Sequence, residues 1–115
     1  MTASSEPPAR LVAREGIEIA YNDSGGAGPT VVFAHATGFC KELCDPIIGE
    51  TRALVPNFRA LAIDQRAHGD SQVPAPPFDW WDIGRDVVDL IDLSETGSTG
   101  VGVGHSAGAA ALVLA

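Results

Sequence analysis

Positive charge is scarce in this sequence. Seven Lys and Arg stand against fifteen Asp and Glu, for a formal net charge of −8, and the only lysine is Lys41. No Lys/Arg run exists, so the chain lacks the clustered cations with which a protein tracks nucleic-acid phosphates. Cysteine is scarce too. Cys40 and Cys44 are four apart, which is not the C-x-x-C spacing of a redox or zinc pair, and they read as two reduced, partly buried thiols. No metal or cofactor is expected. The N-terminus, MTASSEPPAR, has no apolar signal core, and no apolar stretch reaches the roughly 18 residues of a membrane span. The expectation is a soluble cytoplasmic protein with neither nucleic acid nor membrane as a partner.

What is present is globular: 115 residues, 45% hydrophobic and 19% charged, without low-complexity tracts. That length suits one domain or a piece of one. Residues 1–9 are polar and Pro-rich and read as a flexible tail; 10–115 read as folded. Two strand-like segments come first, Arg10–Arg14 and Ile17–Tyr21, with Gly16 allowing a tight hairpin between them. Asn22–Pro29 is a loop. Thr30–Ala34 (TVVFA) is an unbroken β-branched run, as in a strand buried on both faces of a parallel sheet. A helix should follow, capped by Asp45, with Pro46 at its first position and Pro56 closing it. Ile47, Ile48, Leu54 and Val55 give it an apolar face.

Ala60–Ile63 is a second buried strand, and Val73–Phe78 is a loop. Asp79–Leu93 is the clearest helix, with Trp80, Ile83, Val87, Leu90 and Ile91 at helical spacing. Asp82, Asp86 and Asp89 are assigned to its opposite face, as solvated acids. Ser94–Gly100 is a loop, Val101–Gly104 a third buried strand, and Ser106–Ala115 an Ala-rich helix. A hairpin followed by three strand–helix units predicts an α/β fold, a mostly parallel sheet with helices on its faces.

Gly104-His105-Ser106-Ala107-Gly108 fits G-x-S-x-G, and its context fits a nucleophile elbow: apolar strand before, small-residue helix after. The serine of such a turn takes unfavourable backbone angles, and small residues two positions to either side let the chain bend. The turn lifts the hydroxyl of Ser106 past the strand end and aims a helix start at the same space. There the amide of Ala107 can bind the oxyanion of an acyl-transfer intermediate. A serine at a helix start also serves as a plain N-cap.

Two further motifs argue against the plain cap. His35-Ala36-Thr37-Gly38-Phe39 follows the first buried strand, and Asp64-Gln65-Arg66-Ala67-His68-Gly69-Asp70-Ser71 follows the second. With GHSAG, they resemble the esterase-like branch of the α/β-hydrolase family, from about Leu11 to the end of the chain. That resemblance implies the N-terminal half of an α/β-hydrolase fold, incomplete here, since whole domains of this kind run to roughly 200–250 residues. It implies that the first loop supplies the second oxyanion amide, with Thr37 the first choice and Phe39 the runner-up, and that the second loop is a structural turn with His68 part of it. Ala36 and Ala67 stand where the family usually has glycine. A positive φ at either would cost roughly 1 kcal/mol, and Gly38 can relieve the first.

The resemblance also implies that the triad acid and histidine come after the elbow helix. His35, His68 and His105 are unconvincing as the base. The leading reading is a serine hydrolase that cleaves a small-molecule ester, thioester or amide through an acyl-serine, completed by a missing C-terminal half. A serine at the elbow argues against the dehalogenase and epoxide-hydrolase branches, which use aspartate there. Perhydrolases, C–C hydrolases and acyltransferases share the serine and stay open. The alternative is a catalytically silent truncated fragment or binding module.

Overall fold

The computed structural model describes residues 9–13, 16–74, 79–94 and 100–115. The predicted tail up to residue 8, Arg14, the loop residues 75–78 and the loop residues 95–99 lie outside the described residues. The elements run β1 (Ala9–Val12), β2 (Glu18–Asp23), β3 (Thr30–Ala34), a 3-10 turn (Lys41–Cys44), α1 (Asp45–Leu54), β4 (Arg59–Ile63), α2 (Trp80–Ser94), β5 (Gly100–Gly104) and α3 (Ala107–Leu114).

The strands form one mixed sheet in the order β1-β2-β4-β3-β5. The β1–β2 hairpin is antiparallel and joins β4 antiparallel, while β4, β3 and β5 run parallel. Alternate residues of the parallel strands face opposite sides, as the pleat requires. Val32, Ala34, Leu61 and Ile63 pack with Val87 and Leu90 of α2 and Ala111 of α3. Phe33, Ala60 and Ala62 face the other way, with Phe58, Cys44 and Ile48 on the α1 side. β3 and β4 are thus covered on both faces, as their unbroken apolar sequences predict.

Five expectations need correcting. β5 is exposed along its length rather than buried. Among the described residues it has a single partner, β3, and three of its five residues are glycine. The apolar face of α1 is largely uncovered: Ile47 and Leu54 are exposed, and only Ile48 packs on the Phe33 cluster. Asp45 lies within the first turn of α1, the cap position being Cys44. In α2, Trp80 is exposed, whereas Asp86 is buried in a bidentate pair with Arg66 (Nε–Oδ2 and Nη2–Oδ1, both 2.8 Å). Asp79 and Asp82 cap this helix reciprocally, each side chain accepting the other's amide at about 3 Å. Among the described residues no helix is long and apolar enough to cross a membrane.

Candidate active site

The parallel run of β3, β4 and β5 brings three loops to one end of the sheet. They are residues 35–39, residues 64–71 and the turn at 105–106.

The turn after β5 is sharp. Ser106 stands at φ 55°, ψ −113°, in a region that non-glycine residues avoid, and such strain costs about 1–3 kcal/mol. The amide of His105 donates to the Ala34 carbonyl at 3.1 Å, which ties the turn to the end of β3. Close approach explains the flanking glycines. A Cβ on Gly104 would lie 2.6 Å from the Ala109 backbone, and one on Gly108 would overlap the Ala34 carbonyl. Ser106 itself is exposed, and α3 begins with the next residue, the buried Ala107.

The loop after β3 begins with the buried pair His35 and Ala36 and continues with the exposed residues Thr37, Gly38 and Phe39. The Phe39 amide donates to the Ala36 carbonyl at 3.2 Å, closing a turn whose third residue, Gly38, has φ 85°. Glycine meets that requirement at no steric cost. The substitution of alanine at position 36 is therefore unstrained, since the positive φ falls on Gly38. At Ala67, by contrast, φ is 67°, and alanine carries the strain that a glycine would avoid. The Gly38 amide donates to His68 Nε2 at 2.9 Å. Among the described residues, the amides of Thr37 and Ala107 donate to no acceptor, and both lie at the serine's end of the sheet. Phe39, the runner-up donor, has its amide engaged.

The loop after β4 is a scaffold. Asp64 is fully buried and accepts the amides of Lys41 (2.7 Å) and Asp70 (2.9 Å) together with the Lys41 ammonium (2.6 Å). Ser71 Oγ donates to the Asp64 carbonyl at 2.6 Å and accepts the Ala20 amide at 2.9 Å, fixing the loop to β2.

Lys41, which sequence reasoning registered only as the sole lysine, is the hub beneath the site. Its side chain is 1% exposed and its ammonium also meets Asp70 at 2.9 Å and Glu42 at 3.1 Å. Burial disfavours the ammonium, but the hydrogen bonds to Asp64, Asp70 and Glu42 outweigh it and hold the group above its ordinary value. In return Lys41 holds the Asp70 carboxyl below the usual range. The oxygens of Glu42, Asp64 and Asp70 lie within 4.8 Å of one another, and the Lys41 ammonium already supplies the positive charge that such a cluster needs. Both cysteines are free thiols; burial pushes Cys44 up to about 11, so it stays protonated.

His35 and His68 have both ring nitrogens in hydrogen bonds to backbone atoms. His105 is exposed, and no described residue hydrogen-bonds its ring.

Residues 31–115 match the family described as the alpha/beta hydrolase family. Among solved structures, the chain is similar to a hydrolase from Pseudomonas aeruginosa, at 28% identity and a TM-score of 0.81 over 94% of this chain and 40% of that one. It is also similar to an epoxide hydrolase from Vigna radiata (26% identity, TM-score 0.75, 89% of this chain and 32% of that one). An enol-lactonase from Burkholderia xenovorans gives 27% identity and a TM-score of 0.69, over 83% of this chain and 36% of that one. The chain therefore spans two fifths or less of the length of these structures. No curated protein matches it.

Proposed function

From the premise that the chain belongs to the alpha/beta hydrolase family, we propose that it carries the nucleophile and oxyanion half of a serine hydrolase acting on a small ester, thioester or amide. The observation that carries the reading is the backbone of Ser106, held at φ 55° between β5 and α3 beside the loop that follows β3. Strain of this kind is kept where it presents a side chain that the reaction needs.

In this reading Ser106 Oγ attacks the acyl carbon while a histidine takes its proton. The carbonyl oxygen becomes an oxyanion between the amides of Thr37 and Ala107, with the positive end of α3 behind it. Collapse expels the alcohol, thiol or amine, which takes the proton back from the histidine, and water then releases the acid from the acyl-serine. Each donor at such a position is worth about 10²–10³ in kcat. The histidine and its acid are assigned to a further portion of the enzyme, because His35 and His68 have both ring nitrogens committed and because adjacent side chains at a strand end point to opposite faces, which keeps His105 from its neighbour's hydroxyl. The likeness to epoxide hydrolases is one of fold; a serine at the elbow favours the acyl-serine route.

The experiment is a structure of the complete enzyme with a phosphonate bound. The phosphonyl oxygen is expected within about 2.7–3.1 Å of both amides. An oxygen held only by side chains would overturn the assignment of Thr37 and Ala107.

A further inference from the structure

The loops after β3 and β4 are fastened by their histidines, each of which accepts an amide of the opposite loop. His35 takes the Gln65 amide on Nε2 at 3.0 Å, while its Nδ1 meets the Ala36 carbonyl at 2.7 Å. His68 takes the Gly38 amide on Nε2 at 2.9 Å, while its Nδ1 meets the Arg66 carbonyl at 2.9 Å. A carbonyl can only accept and an amide can only donate, so these partners dictate the same neutral form for both rings: Nδ1 protonated, Nε2 bare. The ring centroids are 5.1 Å apart. The Gln65 side-chain amide adds a donation to the His35 carbonyl.

We propose that His68 is a positioning residue for the hydrolysis, selecting the loop amide that faces the reacting carbonyl. The proposal rests on Thr37 acting as an oxyanion donor. Residues 36–39 form a turn whose central peptide joins Thr37 to Gly38, and the N–H of that peptide is the one His68 accepts. Holding it fixes the peptide plane and keeps Gly38 at φ 85°. With Gly38 bound to His68 and Phe39 bound to Ala36, the amide of Thr37, the first exposed residue of the turn, has no acceptor among the described residues. Without an acceptor at position 68 the Thr37–Gly38 peptide is no longer held, and the turn that carries the Thr37 amide keeps only the Phe39–Ala36 hydrogen bond to fix its shape. The signal in sequence is indirect, because His68 lies on a different strand's loop, thirty residues from the amide it holds.

The test compares His68→Ala and His68→Gln in the complete enzyme, since a glutamine side-chain oxygen can take the place of Nε2 as acceptor. Misplacing a catalytic donor by about 1 Å costs up to about 10²-fold. His68→Ala is expected to lower kcat by about 10- to 100-fold, to change KM little, and still to accept a fluorophosphonate at Ser106. His68→Gln is expected to recover most of kcat. In the unsubstituted enzyme at neutral pH, nitrogen NMR is expected to find His68 Nε2 unprotonated and the Gly38 amide slow to exchange. An undiminished kcat in His68→Ala overturns the proposal, as does a protonated Nε2, or a His68→Gln variant that folds normally but is as slow as His68→Ala. Failure of the underlying reading looks different: in a phosphonate complex of the unsubstituted enzyme the phosphonyl oxygen then lies away from the Thr37 amide, and the positioning role falls with it.

Discussion

Replacing Lys41 by methionine keeps the length of the side chain and removes the charge beneath the site. Three carboxylates lose their shared cation, but they do not lose equally. Asp70 and Glu42 have side chains 53% and 30% exposed, so water replaces much of what Lys41 gave them. Asp64 has no exposed surface. Breaking a buried pair from one side costs about 3–5 kcal/mol, because the remaining charge is left uncompensated. Asp64 would keep the amides of Lys41 and Asp70 as donors, which places the expected loss near the lower end, about 3 kcal/mol. In a urea titration that loss lowers the midpoint by about 1–3 M. The control is a double-mutant cycle with Asp64→Asn. In that background Lys41→Met should cost no more than about 1 kcal/mol, because the buried anion is gone. Lys41→Met within about 1 kcal/mol of the unsubstituted protein, with Asp64 intact, would refute the reasoning.

Other consequences can be measured alongside. Gly108→Ala should force the start of α3 away from the Ala34 carbonyl, lowering kcat about 10²-fold and stability by about 1–3 kcal/mol; unchanged kinetics would contradict the close approach. Burial lowers the His35 pKa from 6.5. The unfolded chain then binds more protons than the folded one just below pH 6.5, so stability present above that pH is lost as pH falls toward the folded value. The urea midpoint should drop between pH 7 and 5, less steeply in His35→Gln; equal slopes would count against His35 being held buried and neutral. A protein ending at Ala115 should hydrolyse p-nitrophenyl acetate at a negligible rate. Ser106-dependent turnover at an enzyme-like rate would return the role of base to a histidine of this chain.

Some of the fold is legible in the sequence for a plain reason. Thr30–Ala34 is buried on both faces, and its apolar run matches β3 residue for residue. β5 carries a similar pattern, yet it is exposed, because burial of a strand depends on neighbours that its own residues do not encode. The α1 face misled in the same way: Ile47 and Leu54 mark an apolar stripe without saying what covers it. Asp86 is a different case. It was assigned to the solvated face, yet it lies three residues after Ile83 and four before Leu90, on the stripe facing the core, a spacing that calls for a buried carboxylate paired with a cation. Arg66 supplies that cation from another loop.

The candidate site divides similarly. The elbow is local, and its glycines and serine sit where close approach and a strained backbone require them. Gly38 was legible as the residue that relieves Ala36. The Lys41 hub and the two-histidine clasp join residues 23 to 30 apart in sequence, and no periodicity connects such positions. The solitary lysine just past the loop that follows β3, and the histidines within the two loop motifs, were their visible traces.

The most direct test of the account is covalent labelling of the complete enzyme with a fluorophosphonate, followed by peptide mapping. The account predicts a single adduct on Ser106 and none in Ser106→Ala. Labelling that survives the substitution, or a reactive enzyme whose adduct maps to another residue, would contradict it.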